Sequence, residues 1–131
     1  MKIAAGSEVQ VRHSVFRKNA GNGIHIVGTT GSFANIDLGT DATSATDAGN
    51  NELQSGGANA ANKNTGAGIC VQLTAAGTPT LHVQGNQFAN IDCTTSTGAI
   101  TKNATCASGI DLGITTYTDL TVTVHTENCT Q

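Results

Sequence analysis

One apolar motif repeated three times, strand-like alternation inside each copy, and a composition rich in turn residues predict an all-β solenoid of about four turns. The motif reads Gly23-Ile24-His25-Ile26, then Gly68-Ile69-Cys70-Val71, then Gly109-Ile110-Asp111-Leu112. Each copy is followed by a second alternating pair: Ile36-Asp37-Leu38, Leu81-His82-Val83 and Val122-Thr123-Val124. The second pair begins 12 residues after the first in every copy (36 − 24, 81 − 69 and 122 − 110). Apolar-x-apolar is the period of a strand with one face buried. Recurrence along the chain means stacked units, each covering the apolar face of the next. Aromatics are only 3% and there is no Trp, so large rings cannot fill a thick core. Gly and Asn suit tight turns and Thr suits strands. The 131 residues are enough for one domain, expected to span 1–131.

The elements follow in chain order. Val9 and Val11 alternate, and Phe16 comes five positions after Val11. Phe88 follows Val83, and Cys129 follows Val124, at the same distance of five (88 − 83, 129 − 124). A polar pair precedes each ring or thiol: His13-Ser14, Gly85-Asn86 and Glu127-Asn128. In the second turn the figure is interrupted by Gly39–Gly49 before Asn50-Asn51-Glu52-Leu53. Laying the turns over one another gives inward columns Val9/Ile36/Leu81/Val122, Val11/Leu38/Val83/Val124 and Phe16/Leu53/Phe88/Cys129. The other strand supplies Ile24/Ile69/Ile110 and Ile26/Val71/Leu112. Residues 23–28, 68–74 and 109–115 should therefore form one parallel sheet. Residues 9–12, 35–38, 81–84 and 121–125 should form a second.

Successive turns measure 27, 45 and 41 residues (38 − 11, 83 − 38, 124 − 83), and the excess lies in loops 39–49, 55–66 and 91–108. The last two leave at one corner of adjacent turns and are expected side by side as a lobe, the usual place for binding residues. Met1–Gly6 is too short for a signal peptide or an amphipathic capping helix. The expected chain is thus intracellular or cut from a longer exported protein, with uncapped ends that favour a homo-oligomer.

At these residues the chain resembles the right-handed parallel β-helix family, nearest to bacterial repeat segments of the NosD-like and DUF1565 type. Those repeats follow a pattern like V-x-V-x-x-S/N-x-F-x-x-N and then G-I/L-x-I/V. Here it reads Val9-Gln10-Val11-Arg12-His13-Ser14-Val15-Phe16-Arg17-Lys18-Asn19, then Gly23-Ile24-His25-Ile26. It recurs as Leu81-His82-Val83-Gln84-Gly85-Asn86-Gln87-Phe88-Ala89-Asn90, then Gly109-Ile110-Asp111-Leu112. The resemblance implies a parallel β-helix with inserted loops in an extracellular or cell-envelope setting. It leaves function open, because the fold carries lyases, hydrolases, adhesins and surface repeats alike.

Composition narrows the chemistry. A net charge of −3 argues against a nucleic-acid surface, and the one basic cluster, Arg12, His13, Arg17 and Lys18, reads as a solvated turn. No run is long enough to insert into a membrane. The four cysteines show no C-x-x-C spacing, so neither zinc nor another cofactor is expected. Glycan cleavage needs an acid and a base or nucleophile. The outward column Gln10/Asp37/His82/Thr123 holds one carboxylate, Asp41 and Asp47 sit in a loop, and Asp92 stands apart, so no catalytic residue is assigned.

The column His25/Cys70/Asp111 brings a thiol beside an imidazole, the pairing of a cysteine nucleophile. Cys70 stands in its middle, however, where the imidazole should be, so it reads as a surface thiol column. His25 and Cys70 alone are too few ligands for a metal. An ice-binding ladder needs Thr-x-Thr in every turn, and only Thr121-Val122-Thr123 supplies it. Tyr117 is the one tyrosine available as a glycan platform. Cys93 and Cys106 are expected to bridge within loop 91–108, with Cys129 inward and Cys70 free. The sequence thus points to a non-catalytic structural or interaction module, with polysaccharide binding or processing through the stacked loops as the alternative.

Overall fold

A computed structural model describes residues 1–28, 36–39, 49–53, 61, 63–74, 80–88, 102–115 and 121–123. Among them are twelve strands and no α-helix. In chain order they are β1 (Lys2–Ala4), β2 (Val9–Gln10), β3 (Val15–Phe16), β4 (Ile24–Gly28), β5 (Ile36–Asp37), β6 (Glu52–Leu53), β7 (Ile69–Leu73), β8 (Thr80–His82), β9 (Gln87–Phe88), β10 (Lys102–Asn103), β11 (Leu112–Ile114) and β12 (Thr121–Thr123). They form three sheets, ordered β1-β4-β7-β11-β10, β12-β8-β5-β2 and β3-β6-β9. Every strand pairing in them is parallel.

Alternation places the core. Ile24 and Ile26 are buried while His25 between them is partly exposed, and on β7 Ile69, Val71 and Leu73 are buried with Gln72 exposed between the last two. Register stacks like on like: Ile24 on Ile69, Ile26 on Val71, Val9 on Ile36, Leu81 on Val122, Leu53 on Phe88. Each fully buried aliphatic side chain contributes about 1.5–3 kcal/mol, which is how narrow columns make a core in which, among the described residues, Phe88 is the one well-buried ring. Both expected sheets are present. The Phe16/Leu53/Phe88 column forms a sheet of its own, while Val124 and Cys129 lie outside the described residues.

The polar pair before each ring builds the corner between the second and third sheets. His13, Asn50 and Gly85 occupy equivalent positions with φ of 50°, 48° and 66°. This left-handed backbone is costly for most side chains and free for glycine. The next residues, Ser14, Asn51 and Asn86, form a ladder. Asn51 Nδ2 donates to Asn86 Oδ1 (2.8 Å) and to the Val11 carbonyl (2.9 Å), and Asn86 Nδ2 donates to the Leu38 and Val83 carbonyls (both 2.7 Å). The Ser14 N–H donates to Asn51 Oδ1 at 3.1 Å. A second corner repeats the device. Buried Asn64 accepts from the Asn19 N–H (3.1 Å) and Nδ2 (2.9 Å) and donates to the Phe16 carbonyl (2.9 Å).

The structure corrects three expectations. Lys2–Ala4 is a strand on the edge of the five-stranded sheet, with Ile3 buried against Ile26 and the Met1 ammonium donating to the Gly23 carbonyl at 2.6 Å. Part of loop 91–108 is also a strand, β10, which lies outside β11 although it precedes it in the chain. Finally, β11 is displaced by two residues. Ile69, Cys70 and Val71 face Leu112, Gly113 and Ile114, not Ile110, Asp111 and Leu112. A two-residue slip keeps every side chain on its own face, so periodicity is blind to it. The spacing to the next pair is then 10 in this turn (122 − 112) against 12 in the one before (81 − 69).

Candidate functional site

The most developed polar cluster among the described residues lies on the outer face of the four-stranded sheet. Strand alternation turns Gln10, Asp37 and His82 outward, and register lines them up across β2, β5 and β8. Arg12, just past β2, folds back over them. Its guanidinium forms an ion pair with the Asp37 carboxylate, and Nη1 donates to the Asp37 carbonyl (2.9 Å) and the Val11 carbonyl (3.2 Å). Gln10 Nε2 donates to Asp37 Oδ2 (3.2 Å), and the Gly39 N–H donates to Asp37 Oδ1 (3.1 Å). Arg12 therefore belongs to a mostly buried pair and not to a solvated basic turn.

Partial burial pushes the Asp37 carboxyl up. The hydrogen bonds from Arg12, Gln10 and Gly39, with the Arg12 charge, outweigh it and hold the group below its ordinary 3.8. The folded state then binds fewer protons than the unfolded chain as acid is added. This contribution is whole above the unfolded value and disappears as pH falls through the folded one. Urea midpoints of the wild type should fall as pH drops below about 4, and Asp37→Asn should flatten that slope. Equal slopes in both proteins would mean the pair is not coupled to folding.

Beside this pair, Arg12 Nε, His82 Nδ1 and Gln84 Oε1 are buried and have no hydrogen-bond partner among the described residues; Gln84 is 8% exposed. Buried polar atoms are normally satisfied, and these three stand out for having no partner among the described residues. The cluster holds one carboxylate, and the Arg12 cation beside it favours its ionised form. The sequence named Gln10, Asp37 and His82 as one column but missed Arg12, whose pairing depends on its side chain folding back over Asp37, and buried Gln84.

The expected column His25/Cys70/Asp111 is only partly assembled. His25 and Cys70 are register neighbours, and His25 Nε2 lies 3.2 Å from Gln72 Oε1. Gly113 stands where Asp111 was expected; Asp111 is buried before β11, its carbonyl accepting the Ile69 N–H at 2.8 Å. Cys70 is not free. It is bonded to Cys106, 36 residues away, with Cα atoms 5.4 Å apart. The expected Cys93–Cys106 bridge is thereby ruled out, because Cys106 has one sulfur and the strap carrying it lies over β7. Loop length alone could not show that proximity. Cys93 and Tyr117 lie outside the described residues. No group of three or more His, Cys, Asp or Glu positioned for a metal ion occurs among the described residues.

No family model, curated protein or solved structure matches the chain.

Proposed function

We propose that the chain is a right-handed parallel β-helix module of the NosD-like or DUF1565 type, with a structural or interaction role and no catalysis of its own. The supporting observation is strand order. With β10 set aside, β1 to β9, β11 and β12 visit the five-, four- and three-stranded sheets in strict rotation. That is the order left by a chain wound about one axis, each pass adding a rung at about 4.8 Å. Parallel crossovers are right-handed in nearly all cases. The disulfide suits an oxidising compartment, in line with a bacterial cell-envelope setting. Among the described residues β1, the opposite edge from β10, together with the edge strands β2 and β3, has no further strand beside it, and a second copy pairing there makes the module a homo-oligomer.

The second reading, a carbohydrate-binding or carbohydrate-processing β-helix, draws on the atoms of Arg12, His82 and Gln84 that have no hydrogen-bond partner among the described residues. A polysaccharide panel separates the two. The structural reading expects no thermal shift and no release of reducing or unsaturated ends. Saturable binding that weakens in Gln84→Ala favours the second reading, and product release overturns the first. Light scattering at micromolar concentration tests assembly: a mass above the 13.2 kDa monomer is expected, and a clean monomer overturns the oligomer.

A further inference from the structure

We propose that Cys106 is the thiol-reactive sulfur of a disulfide latch that holds β10 over the edge of the five-stranded sheet. β10 pairs with β11 through two residues only, Lys102 with Leu112 and Asn103 with Gly113. The connection between them, 104–111, has eight residues (111 − 104 + 1). Parallel neighbours ordinarily need a crossover of about a dozen or more, and a two-residue edge strand adds little pairing of its own.

The connection is instead strapped across the outer face of the sheet. Ala107 forms an antiparallel bridge with Gly66, and Cys106 is bonded to Cys70, the second residue of β7. Gly113, on the strand between, makes room for the strap: a Cβ there would come within 2.8 Å of both Cys106 Cα and Cys106 Sγ. Any larger residue at 113 would push the strap away from the sheet.

The two sulfurs are unequally placed. Cys70 is 3% exposed beneath the strap, whereas Cys106 is partly exposed. Thiol–disulfide exchange needs an external thiolate to reach one sulfur, and here that sulfur is Cys106 Sγ. The incoming sulfur bonds to Cys106, the Cys106–Cys70 bond breaks, and Cys70 leaves as a thiolate that takes a proton from solvent. With a dithiol, its second thiolate then attacks the mixed disulfide, Cys106 leaves as a thiolate and is protonated, and the dithiol is oxidised to a cyclic disulfide. Two electrons have passed to the protein. The latch is then open and the β11 edge becomes accessible, an edge of the kind other strands add to.

Two measurements on the full chain test this. Brief exposure to glutathione, followed by residue-level mass mapping, should give an adduct on Cys106 at least tenfold more abundant than on Cys70. Full reduction with dithiothreitol should speed amide exchange in 102–114 at least tenfold and leave Ile24–Gly28 unchanged. Gly113→Ala, kept oxidised, should speed exchange in 102–107 in the same way, which tests the strap without reducing the bond. Adducts mainly on Cys70, no reaction in the folded protein, unchanged exchange in 102–114, or loss of protection in Ile24–Gly28 as well would each overturn the latch.

Discussion

Replacing Val83 with aspartate is expected to leave no folded protein at neutral pH. Val83 is 0% exposed and stands behind Leu81, between the four-stranded sheet and the asparagine corner. The substitution removes about 1.5–3 kcal/mol of apolar burial. It also buries a carboxylate with no cation beside it, which costs several kcal/mol more before the group neutralises itself. The sum approaches the whole stability of a small domain, about 5–15 kcal/mol. The carboxyl can escape only by protonating, so its folded pKa would lie above the unfolded value. Any stability that returns should therefore return as pH is lowered from about 6 towards 4. Circular dichroism with urea titration is the measurement. Val15→Asp is the control: Val15 is 54% exposed on β3, and a surface change there should stay within about 0.5 kcal/mol. A Val83→Asp protein with a wild-type midpoint would mean that the inward columns have been assigned to the wrong face.

Truncating Asn86 to alanine is expected to cost about 3–5 kcal/mol, more than most core truncations of similar volume. Its amide satisfies both sides of the corner: Nδ2 donates to the Leu38 and Val83 carbonyls, and Oδ1 accepts from the Asn51 N–H (3.1 Å) and Nδ2 (2.8 Å). Two carbonyls and two donors on buried backbone or side chain lose their partner at once, and each unmade bond costs about 1–3 kcal/mol less whatever the corner relaxes. Asn86→Asp should be worse still, because it sets an oxygen against the two carbonyl oxygens where a donor stood. Asn51→Ala and Asn86→Ala share one hydrogen bond, so the double variant should lose less than the two single losses added. Strict additivity in that cycle, read from denaturant midpoints, would mean that the two side chains do not act as a ladder.

The elements legible in the sequence were those whose information is local. Val9, Ile36 and Leu81 declare their inward face through alternation, and like residues at like positions make the stacking partner plain. The same holds for Ile24 and Ile69, which the structure pairs as read. The polar pairs His13-Ser14, Gly85-Asn86 and Glu127-Asn128 were visible as a recurring figure; the structure adds Asn50-Asn51 to the first two and explains them as one left-handed residue followed by one rung of a hydrogen-bonded ladder, while Glu127-Asn128 lies outside the described residues. Of the polar cluster, the column Gln10/Asp37/His82 was readable from strand parity.

What the chain determined by itself is therefore the strand class, the face each residue takes and the order of the columns, because a period of two is written into neighbouring residues. Tertiary structure alone decided the register of β11, the strand at Lys2–Ala4, the doubling back of β10, the Arg12–Asp37 pair and the Cys70–Cys106 bond. Each of these joins segments that alternation treats as independent. A slip of two residues leaves parity intact, a three-residue edge strand carries too little pattern to stand out, and a cysteine selects its partner by the few ångströms between two backbones and not by the residues that separate them along the chain.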